Sequence, residues 1–289
     1  MGTVPHSNQG QTTFSLVLQA PSLESADAET VARMVGANHV EAIARGAFRL
    51  HNAQKTESIA AWCDARRIDH AWMPPGRRFA DLQLVAMDMD STLITIECID
   101  ELGDLAGKKA EIAAITERAM RGELDFPRAL RHRVAALAGL HEASLEKVYE
   151  ERLRLTPGAE ALIGACKRHG VKLLLVSGGF TFFTERLKTR LGLDYTISNT
   201  LEIENGRLTG RVLGDIVGAE AKAAKFRGVL EELKAEKAQS VAIGDGANDL
   251  KMMAEAGLSI AFHAKPVVRA HADCALNWSG LDAVVNLFE

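Results

Sequence analysis

Two aspartates two residues apart, Asp88 and Asp90, follow directly on an apolar run at 82–87, in the segment Asp88-Met89-Asp90-Ser91-Thr92. A carboxylate can attack phosphorus and form an acyl phosphate. A second carboxyl can protonate the leaving alkoxide and later take a proton from water. Taken alone, the segment reads equally well as an acidic loop start or a helix cap. A second apolar run ends at Ser177-Gly178-Gly179. One hydroxyl and several unobstructed N–H groups can cradle phosphate oxygens there, although an ordinary strand-to-helix turn would look the same. A third run ends at Gly244-Asp245-Gly246-Ala247-Asn248-Asp249. Magnesium takes hard oxygens and usually only one or two protein carboxylates, with phosphate and water completing the shell. Asp245 suits that role, and Asn248 and Asp249 are spaced to orient it. The alternative is a Gly-rich turn with a helix cap. Between the second and third motifs lies Lys222, with Lys225 as the other candidate. A lysine aimed at the site would screen the crowded negative charge, whereas a lone helix lysine is otherwise a solvated one.

These groups can act together only if three strands end at one place. The pattern supports that. Before residue 80, strand-like 14–18 and 48–51 alternate with helix-like 28–34 and 58–65, up to the breaker cluster Pro74-Pro75-Gly76-Arg77-Arg78. A domain boundary is expected there. The run at 82–87 reads as a buried strand. From 99 to 154 the period is helical, with Ile99, Leu102 and Leu105 on one face and Phe126, Leu130, Val134 and Leu137 on another. An all-helical block between strands reads as an insertion. Alternation then resumes: helix 159–169, strand 172–176, a turn at 177–179, and a helix carrying Phe183, Leu187 and Leu191. Leu201 and Ile203 alternate with Glu202 and Glu204 before Asn205-Gly206, the signature of a tight hairpin. A helix with Phe226, Val229, Leu230 and Leu233 follows, then strand 240–243, a helix to 256, strand 258–262 and a last helix near 281–287. Strand–helix alternation of this kind predicts a parallel sheet with helices on both faces.

Bulk properties narrow the function further. The 289 residues are 47% hydrophobic and 25% charged, with a net charge of −4. Such a balance gives an ordinary globular core and no basic footprint for nucleic acid. Cys63, Cys98, Cys166 and Cys274 form no CxxC pair, as expected of reduced cytoplasmic thiols. No apolar run is long enough to span a membrane, and the polar N-terminus lacks a signal-peptide layout. The expectation is a soluble cytoplasmic protein that binds neither nucleic acid nor membrane.

The four motifs in this order resemble the haloacid dehalogenase (HAD) superfamily of phosphotransferases, and within it the branch that acts on phosphoserine. The resemblance covers about residues 82–289. It implies a HAD-like Rossmannoid α/β sheet (81–289) with an inserted helical cap at about 99–155. It also implies hydrolysis of O-phospho-L-serine with Mg2+ through an aspartyl phosphate. Asp88 would be nucleophile and metal ligand, Asp90 the acid/base and a metal ligand through its carbonyl, and Asp245 the third metal ligand. Ser177, Gly178 and Lys222 would hold the phosphate, with Asn248 and Asp249 in support. In the cap, Glu97 would hold the substrate ammonium and Arg133 its carboxylate, a match to arginine's planar fork. Met120 and Phe126 would close an apolar wall. Another small phosphorylated amino acid, such as phosphohomoserine, is the alternative substrate. An aspartate-phosphorylated receiver would need neither a cap nor a second acid at Asp90. The segment 1–80 resembles an ACT-like α/β extension, which leaves serine binding and a homodimer open.

Overall fold

The structure, a computed structural model, describes residues 14–289. Its contacts divide the chain into two units: one runs up to Arg78 and includes Asn286–Glu289, the other is Phe79–Val285. In the first unit, β1 (Phe14–Gln19), α1 (Ser25–Val35), β2 (His39–Ala44), β3 (Ala47–Ala53), α2 (Ser58–Ala65) and β4 (Asp69–Met73) form an antiparallel sheet in the order β2-β3-β1-β4. Leu16, Leu18 and Leu50 pack against Ala28 and Val31 of α1 and Ile59 and Cys63 of α2. The pattern at 14–18, 28–34, 48–51 and 58–65 marks four of these elements, and β2 and β4 are additional. The final residues return to this unit. Buried Arg49 donates to the carbonyls of Asn286 (3.0 Å) and Phe288 (2.6 Å).

The second unit opens with β5 (Leu84–Asp88), whose five residues are all buried. The insertion follows: α3 (Cys98–Leu105), α4 (Lys109–Met120), α5 (Phe126–Ala135), α6 (Ala143–Lys147) and a π-helical turn, Val148–Arg152. Asp125 starts α5 by accepting the Arg128 N–H at 2.8 Å, with Pro127 in the first turn, where its missing N–H costs nothing. The chain enters and leaves this block side by side. The Thr95 N–H donates to Arg154 O, and the Thr156 N–H to Leu93 O, both at 3.0 Å. Beyond it come α7 (Ala159–His169), β6 (Lys172–Phe180), α8 (Thr181–Leu191), β7 (Tyr195–Glu204), β8 (Arg207–Leu213), α9 (Ala219–Leu233), β9 (Ser240–Gly244), α10 (Leu250–Glu255), β10 (Leu258–Phe262), α11 (Pro266–Arg269), β11 (Cys274–Leu276) and a 3-10 turn at Leu281–Leu287.

The sheet order is β11-β10-β9-β5-β6-β7-β8, parallel except for the β7–β8 hairpin. Asn205 and Gly206 both have positive φ (51° and 73°), as the hairpin signal requires. One face carries Leu84, Ala86, Leu174, Val176 and Ala242 against Phe226, Val229 and Leu230 of α9 and Met252 and Met253 of α10. Val85, Met87, Leu173 and Leu175 alternate to the other face and are equally buried, so both faces are covered. The expected turn at 177–179 is instead the irregular end of β6. The β6–β7 register shifts between Val176 and Phe180, and the strand bends there without stopping.

The order places a topological switch at β5, since later strands add on both its sides. Ligands of open α/β sheets bind in the crevice beyond such a point. Register does the rest. Asp88 pairs with Val176 and Met87 with Ile243. Ser177 and Asp245 therefore emerge one residue beyond the level of Asp88, from the strands on either side.

Candidate active site

Asp88 is the last residue of β5 and is buried. Lys222, in the first turn of α9, is wholly buried. Its ammonium donates to Asp88 Oδ1 and to Asp249 Oδ1, each at 2.8 Å. Lys225 does not compete, because its ammonium lies 5.6 Å over the Tyr195 ring. Burial by itself would lower the Lys222 pKa, but the carboxylates of Asp249 and Asp88 outweigh it and hold the ammonium above the ordinary lysine range. The Asp88 carboxyl is pushed well up, first by burial and then by Asp249, against the pull of Lys222.

Beyond Asp88 the chain turns sharply at Ser91, which has a φ of 57°, a left-handed value that residues other than glycine adopt rarely. That reversal brings Asp90 back to the same cavity. Asp90 Oδ1 accepts the Cys98 N–H at 2.8 Å, and Oδ2 accepts the Ser177 hydroxyl at 3.4 Å. Burial, and then the charge of Glu97, push its carboxyl up to about 7, and the hydrogen bonds from Cys98 restrain the shift. A carboxyl poised there can give and take a proton near neutrality. Ser177 also accepts the Gly179 N–H at 2.8 Å. The small residues are required by space. A Cβ on Gly178 would stand 2.8 Å from Phe126 Cζ, and one on Gly179 would stand 2.8 Å from Asp90 Oδ2.

Across β5, Asp245 follows β9. Burial, then Asp249 and Glu97, raise its carboxyl to about 6. Asp249 turns back to accept the Gly246 N–H at 3.1 Å. Asp88, Asp245 and Asp249 each bring one carboxylate oxygen within 4.8 Å of the others. Hard oxygens gathered this closely, with charge that their own burial resists, fit a divalent cation such as magnesium or calcium.

A cavity of about 410 Å3 opens above these groups. Eight of the residues expected from sequence line it: Asp88, Asp90, Glu97, Phe126, Arg133, Gly178, Asp245 and Asn248. Ser177, Lys222 and Asp249 sit buried behind that wall, and Ser177 and Lys222 touch the carboxylates that form it. Glu97 accepts the Ser91 hydroxyl at 2.7 Å. Arg133 is half-buried, and its Nε–H has no hydrogen-bond partner among the described residues. Burial lowers its pKa while Asp100, Glu97 and Asp90 oppose the shift. Met120 is not brought to the cavity. It is 70% exposed, because the last turn of α4 runs past the packed stripe of Ile112 and Ile115. Ile99, Thr116 and Leu130 complete the wall with Phe126.

Several residues with evident roles carry no motif signal. Asn199, 1% exposed in β7, donates to Gly178 O at 2.8 Å and accepts the Val217 N–H at 2.8 Å. It thereby ties the glycine loop to the segment that starts α9. Cys98 orients Asp90, and Asp100 and Lys265 line the cavity. Only their positions next to motif residues in space reveal them.

A buried carboxylate at the switch point, with helices inserted after its strand, defines a class. Residues 85–254 match the haloacid dehalogenase-like hydrolases, and the chain belongs to that family. Residues 16–59 match a domain of unknown function, DUF4072. The chain is 55% identical over 218 residues to the phosphoserine phosphatase of Polaromonas sp., covering 74% of this chain and 92% of that protein. It resembles the unliganded crystal structure of the probable phosphoserine phosphatase of Vibrio cholerae at a TM-score of 0.84 and 39% identity, over 96% of this chain and 87% of that one. A substrate-bound phosphoserine phosphatase complex matches with a TM-score of 0.68 and 37% identity, over 72% of this chain and 99% of that one.

Proposed function

We infer that this chain hydrolyses O-phospho-L-serine to L-serine and phosphate, with Asp88 as the nucleophile. What supports the reading is that one cavity is lined by two kinds of group. At its floor is a buried carboxylate paired to a lysine, and at its cap are Glu97 and an arginine with an unpartnered N–H. The floor suits a phosphoryl group. Glu97 and Arg133 suit the ammonium and carboxylate of an amino acid.

Asp88 attacks phosphorus in line with the serine oxygen, and the P–O bond to serine breaks as the aspartyl phosphate forms. Protonated Asp90 gives its proton to the departing oxygen. Asp90 then takes a proton from water, which attacks phosphorus and frees Asp88 and phosphate. Ser177, the Gly178 loop and Lys222 hold the phosphoryl oxygens as charge develops. The Asp88 and Asp245 carboxylates and the Asp90 carbonyl would hold magnesium, which would supply positive charge to offset repulsion between Asp88 and the incoming anion. Asn248 and Asp249 support that side of the site. The cap excludes other nucleophiles until serine has left, after which water reaches the aspartyl phosphate. We place the enzyme in the cytoplasm. The N-terminal unit, ACT-like in its alternation of strands and helices, is the proposed place for regulation by serine.

The test is phosphate release from phosphoserine, phosphothreonine, phosphohomoserine and ethyl phosphate, with magnesium and again with EDTA. Phosphoserine is expected to be used best, and EDTA to stop all turnover. Arg133→Ala is expected to lower kcat/KM for phosphoserine about 10- to 100-fold, the worth of a charge-assisted hydrogen bond. Ethyl phosphate has no carboxylate and should be unaffected. Equal losses on both would remove Arg133 from substrate recognition.

Asn199→Ala orphans one buried and one partly buried main-chain group. It is expected to cost about 2 kcal/mol or more of stability and to weaken inhibition by inorganic phosphate about tenfold. Unchanged phosphate inhibition would show that the cradle holds its shape without the clamp.

A further inference from the structure

The cavity lining carries five carboxylates, Asp88, Asp90, Glu97, Asp100 and Asp245, against two cations, Arg133 and Lys265. Lys222 adds a third cation, but it is buried beneath the floor and already bonded to Asp88 and Asp249. A phosphomonoester is a dianion near neutrality, and the wall carboxylates Glu97 and Asp100 oppose its entry even when a divalent cation offsets Asp88 and Asp245. Lys265 is exposed at the cavity mouth, and its ammonium has no hydrogen bond or ion pair among the described residues.

The backbone beneath it is fixed. The Lys265 N–H donates to Asp245 O at 3.1 Å, joining the loop after β10 to the loop after β9. Two residues earlier His263 holds a φ of 45°, its N–H donating to Leu276 O at 2.8 Å and its Nε2–H to Ser279 O at 2.9 Å. A non-glycine residue persists in that conformation only where the surroundings over-determine it. The result is a loop tied at both ends that presents one free cation over an acidic cavity.

We propose that Lys265 is a steering residue. It captures the phosphate dianion at the cavity mouth and passes it down to the Ser177, Gly178 and Lys222 cradle. The proposal rests on the phosphomonoester reading above. Fields in clefts raise the encounter rate of a charged ligand and fade with ionic strength, while the chemistry after binding is left alone. The experiment is steady-state kinetics with magnesium on the wild type, Lys265→Ala, Lys265→Glu and Lys265→Arg, from low to high salt. Lys265→Ala is expected to lower kcat/KM about five- to tenfold at low salt, with kcat within about twofold and a shallower salt dependence. Lys265→Glu should lose more, and Lys265→Arg should restore the wild-type slope. Wild-type salt slopes retained in Lys265→Ala would overturn the proposal. So would a fall in kcat accompanied by a weaker apparent affinity for magnesium, because Lys265 would then act through Asp245. If the wild type itself prefers another phosphate ester, the substrate reading fails, and the same salt series on that ester still decides the role of Lys265.

Discussion

Asp88→Asn is expected to remove essentially all phosphoserine turnover, about 10^3-fold or more, and to leave Tm equal to the wild type or higher. A carboxamide cannot form the acyl phosphate, so no other group in the cavity replaces it. The stability expectation runs against intuition for a buried residue with a 2.8 Å ion pair. Folding strips water from the Asp88 carboxylate and sets it near Asp249 and Asp245, which is why its pKa is raised. Removing that charge relieves both costs, and Lys222 keeps its bond to Asp249. Rapid-quench labelling with radiolabelled substrate and thermal melts read the two halves separately. Labelled protein or substantial turnover in the variant would move the nucleophile elsewhere. A large drop in Tm would mean that the carboxylate is needed to organise the sheet end.

Lys222→Met carries the opposite signature. The lysine is fully buried and bonded to two carboxylates, so its loss leaves two buried negative charges uncompensated. Breaking such a buried pair costs about 3–5 kcal/mol. For a unit of this size that is on the order of 10 °C in Tm. Activity should fall about 10^2-fold or more, because the cation facing the phosphoryl oxygens is gone. The double variant Lys222→Met/Asp249→Asn separates the effects. Asparagine keeps an acceptor for the Gly246 N–H but carries no charge, so stability should recover while activity stays low. Recovery of both would make Lys222 a purely structural counter-ion. Recovery of neither would point to packing of the aliphatic stem in place of charge.

The chemistry at the strand ends was legible because it is written in short spacings. Asp88, Asp90, Ser177 and Asp245 each stand within one to three residues of an apolar run, and a strand's end fixes where its next side chain goes. Local physics also marks some elements to the residue: α2 and α7 match the expected helices at 58–65 and 159–169. Other elements depend on distant partners. β2 and β4 are short and contain residues with weak strand preference, and β1 and β3 supply their hydrogen bonds. Ser177-Gly178-Gly179 resembles a turn by composition, but pairing with β7 draws it into the strand. Met120 was expected at the cavity wall only from the family resemblance, and the last turn of α4 leaves it exposed.

By itself, then, the sequence determined which groups could do chemistry, in what order they occur, and that parallel strands with an inserted cap would carry them. Only the tertiary structure decided which lysine reaches Asp88, that Asn199 joins the glycine loop to α9, that Cys98 orients Asp90, and that Lys265 overhangs the cavity. The physical reason is range. Strand ends and caps follow from interactions a few residues apart, whereas the Lys222–Asp88 contact spans 134 residues and forms only when β5, β6 and β9 align in register.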